Sequence, residues 1–141
     1  MQIHKLTNQL SVSPQIALED ISKLSALGFK SVICNRPDKE SDDQPTMSDV
    51  ESAVNAAGLT WQHQPVVSGS ITDQDVTDFS QLIAKLPQPV FAFCRTGTRC
   101  SILWALSQAN TMSVDDILNT AAEAGYNISG QQPRLEALAK K

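Results

Sequence analysis

The sequence predicts an α/β fold in which a mostly parallel sheet of about four to five strands is flanked by helices. Short apolar, β-branched segments alternate along the chain with segments of helical periodicity. The segment 29–35, FKSVICN, is apolar almost throughout, as expected of a strand that is buried on both faces. The 141 residues, of which 41% are hydrophobic and 18% charged, fit one folded domain spanning residues 1–141.

The first half of the chain opens with two short apolar segments, IHKL and QLSVS, which are close enough to form a hairpin. A segment with apolar residues on one helical face follows and ends at Gly28, a typical helix stop. After the buried strand, the polar segment 36–45 is bracketed by prolines, which predicts an exposed loop. The predicted elements are strands over 3–6, 9–13, 29–35 and 59–66, and helices over 13–28 and 46–58.

The second half continues the alternation. After a short loop, the segment TDQDVTDFSQLIAKL begins with a capping-box pattern, in which Thr72 is the N-cap and Asp75 the acidic N3 residue. The prolines of PQP end this helix, and VFAF has the composition of another buried strand. The predicted elements are a strand over 90–93 and helices over 72–86, 100–109, 113–125 and 133–141. Such alternation favours parallel strands, whose carboxyl ends form the ligand-binding edge of the sheet.

The six residues CRTGTR follow the strand 90–93 at this edge and precede a helix. Backbone N–H groups of a short loop and of a first helical turn are free to bind an anion, and an arginine donates two hydrogen bonds to an oxyanion. The positive electrostatic field of these N–H groups and of the arginines lowers the pKa of a nearby thiol, and the resulting thiolate is a nucleophile. We therefore predict a nucleophile, Cys94, in the floor of an anion cradle formed by Arg95, Thr96, Gly97, Thr98 and Arg99.

The other two cysteines are interpreted as packing residues. Cys34 lies in a predicted buried strand, and Cys100 lies in the first turn of a predicted helix. The alternative is that one of them forms a reversible disulfide with Cys94 and protects it from overoxidation. Three cysteines without paired Cys/His spacing fit a reducing compartment and argue against a structural zinc site, so no metal is predicted.

The charge and hydropathy of the chain argue against nucleic-acid binding and against a membrane-spanning segment. A net charge of -4, a pI near 5.0 and the absence of a basic run argue against nucleic-acid binding. No apolar run approaches the roughly 18 residues of a membrane span. The N-terminus lacks the pattern of a signal peptide, so a cytoplasmic location is expected. The sequence does not indicate the oligomeric state.

The cysteine loop resembles two enzyme families. Protein tyrosine and dual-specificity phosphatases carry Cys-x5-Arg between a strand and a helix, where the cysteine attacks phosphorus and the arginine binds the phosphoryl oxygens. Rhodanese-type sulfurtransferases carry a shorter loop, often Cys-Arg-Ser-Gly-x-Arg-Ser. Only residues 95–98 separate Cys94 from Arg99, so the loop alone is more similar to that of the rhodaneses.

The rest of the chain resembles the phosphatases. Residues 10–38 are similar to the opening of dual-specificity-type phosphatases, and residues 63–101 are similar to their second half. A rhodanese domain would finish soon after the active-site helix, whereas this chain continues well beyond it. With NRPD at 35–38 and CRTGTRC at 94–100, the chain most resembles the bacterial phosphatase-like domain that is also found fused to metallo-β-lactamase-type hydrolases.

This resemblance implies a cysteine-dependent phosphatase that needs no metal or organic cofactor. Cys94 would attack a phosphate monoester, phosphotyrosine-like or a small molecule, while Arg99 and the loop amides stabilise the phosphoryl oxygens. The expected partner is a phosphorylated substrate or another small oxyanion. Two alternatives stay open, namely a sulfurtransferase with a persulfide on Cys94 and a non-catalytic module that binds an anionic partner.

The general acid departs from the phosphatase pattern. These enzymes place an aspartate on the loop before the third helix, where this chain has Ser68 or Gly69. Asp75 is the candidate catalytic acid, although its N3 position favours a helix cap. Asp38 and Asp73 are further candidate acids. Arg36 and His63 lie near predicted strand ends, where either could line the pocket, but a lone histidine is more often a hydrogen-bonded structural residue and His63 is not assigned a role. Trp61 and Trp104 are interpreted as residues of the core or the pocket wall.

Overall fold

A computed structural model describes residues 1–140 and contains one five-stranded sheet. The antiparallel pair β1–β2 confirms the hairpin, and the other neighbouring strands are parallel. The predicted mostly parallel α/β sheet flanked by helices is thus confirmed. The strands are β1 His4–Lys5, β2 Leu10–Ser13, β3 Ser31–Cys34, β4 Thr60–His63 and β5 Val90–Phe93, in the spatial order β1-β2-β5-β3-β4.

Helices cover both faces of this sheet. Along β5, Val90 and Ala92 pack in the hydrophobic cluster on one face, whereas Phe91 and Phe93 pack in the cluster on the other. This alternation explains why the central strand is apolar throughout. Within residues 1–140, no helix is long and apolar enough to cross a membrane. The helices are α1 Ile21–Ala26, α2 Met47–Ala56, α3 Asp73–Lys85, α4 Thr98–Ser107, α5 Val114–Glu123 and α6 Gln132–Ala139.

The first helix is shorter than predicted. A helix over 13–28 was expected, but α1 begins at Ile21, after a single 3-10 turn over Leu18–Asp20. The backbone N–H of Gln15 donates to the carbonyl of Arg95 at 3.1 Å, so this segment runs beside the cysteine loop instead of joining the helix. A bond to a distant loop thus replaces a local helical bond, which apolar periodicity does not reveal.

The predicted ends of the other strands and helices differ from the observed ends by fewer residues. Strand β4 ends at His63 rather than at residue 66, although the N–H groups of Gln64 and Val66 still donate to the carbonyls of Cys34 and Asn35 at 2.9 Å each. Helix α4 begins at Thr98, two positions before the predicted start at 100. The last helix is predicted over 133–141 and observed over 132–139, with Lys141 outside the described residues.

Candidate active site

Cys94 follows β5, which lies in the sheet between β2 and β3. Its side chain is fully buried, and its backbone N–H donates to the carbonyl of Ser13 at 3.3 Å. The neighbouring peptide is tied to β3, since the N–H of Asn35 donates to the carbonyl of Phe93 at 2.9 Å. The cysteine is therefore fixed at the carboxyl end of a central strand, the edge at which the sequence predicts it.

The loop after Cys94 depends on a glycine. Gly97 has a φ of 91°, in the left-handed region, and is the N-cap of α4. A Cβ at this position would also collide with the hydroxyl of Tyr126. This conformation directs the Gly97 N–H toward the Cys94 sulfur, with a nitrogen–sulfur distance of 3.1 Å. The predicted cradle thus has at least one backbone N–H that points at the Cys94 sulfur.

The pKa of the Cys94 thiol is lowered to about 6. The largest cause is a hydrogen bond from the Cys100 thiol, which acts against the rise that burial alone would produce. Backbone N–H groups of Cys100, Gly97 and Thr96 lower the pKa further. At neutral pH the thiolate is therefore the major form, as a nucleophile requires.

The two other cysteines remain protonated. Burial raises the pKa of Cys34 to about 12 and that of Cys100 well above its ordinary value. Both are buried, as predicted for packing residues. Cys100 does more than pack. Its thiol donates to the side-chain oxygen of Asn35 at 3.2 Å, and the same side chain lowers the pKa of Cys94 most. One S–H serves one acceptor at a time, and a charged thiolate is a stronger acceptor than an amide oxygen.

Arg99 is buried and held from its outer edge by a carboxylate. Its Nη1 and Nη2 donate to the two oxygens of Glu40 at 2.8 and 2.7 Å, and Nη1 also donates to the carbonyl of Val66 at 3.0 Å. A guanidinium has five N–H donors, of which these contacts use three. No residue of the described range 1–140 accepts from Nε. The edge formed by Nε and Nη2 therefore remains free to bind two oxygens of an anion.

The segment 36–45 is exposed at residues 38–40 and 42–43, as the sequence predicts for a loop, but its Glu40 side chain reaches Arg99. Arg36 is buried, and its guanidinium donates to Glu40, Gln15 and Ser41. Two arginines thus surround Glu40, and the hydrogen bond from Arg99 in particular lowers its pKa to about 2. Glu40 was not a sequence candidate; an acidic residue among charged neighbours in a proline-bracketed loop gave no signal.

The remaining pocket candidates support this segment or the core. The ring of His63 contacts the Arg36 carbonyl at 2.8 Å and stacks on Trp61. Trp104 is buried in the main hydrophobic cluster. Arg36 and His63 therefore support the loop 36–45, and His63 makes the structural hydrogen bond that the sequence favours for it.

Among the predicted anion-binding residues, Thr96 and Thr98 bond to each other through their hydroxyls at 3.0 Å. The side chains of Arg95 and Thr96 are exposed. The Thr96 carbonyl accepts from the hydroxyl of Tyr126 at 3.1 Å. Tyr126 lies in the loop after α5 and was not a sequence candidate, since nothing local marks a residue 30 positions away as a neighbour of the cysteine loop.

Residues 2–111 match the family model described as beta-lactamase hydrolase-like protein, phosphatase-like domain. The chain belongs to this phosphatase-like family. The predicted resemblance is thereby confirmed. A curated relative, the beta-lactamase hydrolase-like protein of Agrobacterium fabrum, is 38% identical over 138 residues, which are 96% of this chain and 32% of that protein. The chain thus spans about a third of the length of the curated relatives it matches.

Solved structures agree with this assignment. A crystal structure of a candidate phosphatase from Neisseria meningitidis Z2491 is 42% identical, with a TM-score of 0.90 over 98% of this chain and 99% of that one. A variant of TpbA from Pseudomonas aeruginosa, crystallised with phosphotyrosine, has a TM-score of 0.71 over 98% of this chain and 88% of that one. At 12% identity, this second likeness shows the fold alone.

The candidate acids of this phosphatase-like domain have structural partners. Asp75 forms the predicted capping box, in which its carboxylate accepts from the N–H of Thr72 at 2.9 Å and its own N–H donates to the Thr72 hydroxyl at 3.0 Å. Asp38 accepts from the N–H of Met47 at 3.1 Å, at the start of α2. Within residues 1–140, no hydrogen bond links Asp75 or Asp38 to Cys94. Asp73 pairs with Arg134 at 2.8 Å.

Proposed function

We propose that the domain is a cysteine-dependent phosphatase that hydrolyses a phosphate monoester through a phosphocysteine. One observation carries the proposal: a buried sulfur with a pKa of about 6 lies on the same short loop as Arg99, whose Nε edge is free. A nucleophile and a forked oxyanion donor are the two groups that phosphoryl transfer by a cysteine requires.

The reaction would proceed in two displacements. The Cys94 thiolate attacks phosphorus, so that a sulfur–phosphorus bond forms while the bond to the ester oxygen breaks and that oxygen takes a proton. Water then attacks phosphorus, the sulfur leaves as a thiolate, and inorganic phosphate is released. In both steps Arg99 and the loop N–H groups stabilise the three equatorial oxygens.

For the substrate, we propose an aryl phosphate monoester such as phosphotyrosine. The P. aeruginosa protein that shares this fold was crystallised with phosphotyrosine, which supports an aryl ester as the first compound to test. The carboxylate of Asp75 is engaged in a helix cap, so we propose that solvent, rather than Asp75, protonates the leaving oxygen. Phosphate esters with good leaving groups should then be hydrolysed far faster than esters with poor leaving groups.

A second candidate function is sulfur transfer, in which Cys94 carries a persulfide. Two observations favour it: the loop has only residues 95–98 between Cys94 and Arg99, and the candidate acids are engaged elsewhere. A larger loop surrounds a tetrahedral phosphoryl group more completely, whereas a persulfide is a smaller group. Sulfur transfer also needs no acid to protonate an ester oxygen.

One experiment separates the two functions. Wild type and Cys94→Ser are assayed with p-nitrophenyl phosphate between about pH 5 and 8, the range in which the thiolate forms. In parallel, mass spectrometry of Cys94 follows incubation with the phosphate ester or with thiosulfate. We expect hydrolysis and a phosphocysteine in wild type alone. Wild-type hydrolysis no faster than that of Cys94→Ser would refute the phosphatase, and a thiosulfate-derived persulfide on Cys94 would support the sulfurtransferase.

A further inference from the structure

Residues 112–140 lie beyond the matched family region, and Tyr126 brings this segment to the cysteine loop. Gly125, with a φ of 105°, ends the turn after α5. The backbone N–H of Tyr126 then donates to the carbonyl of Ala121 at 2.9 Å, and its ring packs edge-on against that of His4 at 5.2 Å between centroids. The phenol is therefore held from two sides before it meets the loop.

The hydroxyl of Tyr126 binds one end of a peptide unit whose other end faces the nucleophile. The Thr96 carbonyl, which accepts from Tyr126 at 3.1 Å, and the Gly97 N–H, which lies 3.1 Å from the Cys94 sulfur, belong to the same planar peptide group. Fixing the direction of the carbonyl therefore fixes the direction of the N–H. A hydrogen bond to the carbonyl also polarises the N–H and strengthens its bond to a thiolate.

The preceding peptide unit is held in the same way. Its carbonyl, on Arg95, accepts from the backbone N–H of Gln15 at 3.1 Å. Its N–H, on Thr96, is one of the groups that lower the pKa of Cys94. Two consecutive peptides thus have their carbonyls bound from outside and their N–H groups toward the sulfur. Only the second of them depends on a side chain, which is Tyr126.

We propose that Tyr126 is a positioning residue for the nucleophile: its hydroxyl holds the Thr96–Gly97 peptide so that the Gly97 N–H stabilises the Cys94 thiolate. The inference rests on the proposed role of Cys94 as the nucleophile, but its test does not require turnover. The C-terminal segment then has a task at the site, since it supplies the donor that the loop cannot supply for itself.

Four ionisable side chains surround Cys94. Cys34 on β3, Cys100 and Arg99 on α4, and Tyr126 all interact electrostatically with Cys94. Burial, followed by the charge of Cys94, raises the pKa of Tyr126 to about 12. The phenol therefore remains a donor throughout the range in which Cys94 titrates, and replacing it removes no charge.

The test compares Tyr126→Phe, which keeps the ring and removes the hydroxyl, with wild type. The rate of Cys94 alkylation by iodoacetamide is followed against pH by mass spectrometry. Trypsin cleaves after Arg95 and Arg99, so Cys94 and Cys100 fall in separate peptides. We expect the apparent pKa of Cys94 to rise by about half a unit to one unit, the equivalent of one neutral hydrogen bond.

The matched control is Ser107→Ala. This hydroxyl also donates to a backbone carbonyl, that of Trp104 at 2.6 Å, but it lies at the opposite end of α4 from the cysteine loop. The control should leave the apparent pKa of Cys94 unchanged. A Tyr126→Phe variant with wild-type circular dichroism and a wild-type Cys94 pKa would overturn the proposal, whether or not the protein hydrolyses phosphate esters.

A second measurement leaves the residue in place. Tyr126 is the single tyrosine of the chain, so 3-fluorotyrosine labels it alone. We expect its fluorine resonance to shift as Cys94 ionises. Because the ring of His4 also packs against Tyr126, the relevant shift is the component that disappears in Cys94→Ser. A pH titration that is identical in the labelled wild type and the labelled Cys94→Ser variant would contradict the proposal.

Discussion

The carboxylate of Glu40 forms a two-point ion pair with Arg99, with oxygen–nitrogen distances of 2.7 and 2.8 Å. This pairing occupies the end of the guanidinium and leaves its Nε without an acceptor among residues 1–140. Arg36 holds the same carboxylate from the other side at 3.0 Å. Glu40 thereby fixes the plane of Arg99 before an anion arrives, which reduces the ordering cost of binding one.

We predict that Glu40→Gln weakens anion binding and turnover. An amide matches only one of the two donors of Arg99 and turns an N–H toward the other, so the guanidinium loses its fixed plane. We expect kcat/KM for an aryl phosphate and the affinity for vanadate to fall together, by about ten- to a hundredfold. Glu51→Gln, on an exposed part of α2, is the control and should change neither. Tighter vanadate binding by Glu40→Gln would show that Glu40 competes with the anion instead.

Glu40 should also make the free energy of unfolding depend on pH. The pKa of Glu40 in the folded protein is about 2, below its ordinary value of 4.5, mainly because Arg99 donates to it. A depressed folded-state pKa gives stabilisation that is complete above about 4.5 and is lost as the pH falls toward 2. Urea unfolding should therefore show a wild-type advantage over Glu40→Gln at pH 6 that shrinks steadily below about pH 4.5. An advantage independent of pH would assign the effect to packing.

A third prediction concerns Cys100. Its thiol is the largest cause of the low pKa of Cys94, so Cys100→Ala should raise the apparent pKa of Cys94 by about one to two units, as expected for a hydrogen bond to a charged group. Cys100→Ser retains an O–H donor and should keep most of the lowering. The measurement is the pH dependence of Cys94 alkylation. Equal pKa values in the alanine and serine variants would mean that the Cys100 side chain does not act as a donor.

The sheet and the position of Cys94 at its carboxyl edge could be predicted because their signals are local. VFAF is apolar at each position since β5 is covered on both faces, and the cysteine, glycine and arginine follow within six residues. Glu40 and Tyr126 could not be predicted in this way. They reach the loop across 59 and 30 sequence positions, through contacts that exist only once the fold has formed. The start of α1 was wrong for the same reason, because Gln15 bonds to a loop 80 positions away in sequence.

Asp75 provides the last prediction, because its position supports two roles with different outcomes. As the N3 residue of α3 it accepts from the Thr72 N–H at 2.9 Å, and a carboxylate there also interacts favourably with the helix dipole. Asp75→Asn keeps the shape and loses the charge. We therefore expect a loss of roughly 0.3–1 kcal/mol in the free energy of unfolding and little change in turnover.

A general acid would behave differently toward leaving groups. Loss of a general acid slows the hydrolysis of esters whose leaving oxygen needs a proton by about 10²–10⁴-fold. It hardly affects the hydrolysis of p-nitrophenyl phosphate, since p-nitrophenolate leaves as an anion. The measurement is the rate ratio of Asp75→Asn to wild type on phenyl phosphate or a phosphotyrosine ester, beside the same ratio on p-nitrophenyl phosphate. A fall beyond roughly a hundredfold that is confined to the poorer leaving group would make Asp75 the acid. If both ratios are near one, Asp75 acts only as a cap. The variants Asp38→Asn and Asp73→Asn would then show whether either of these carboxylates supplies the proton.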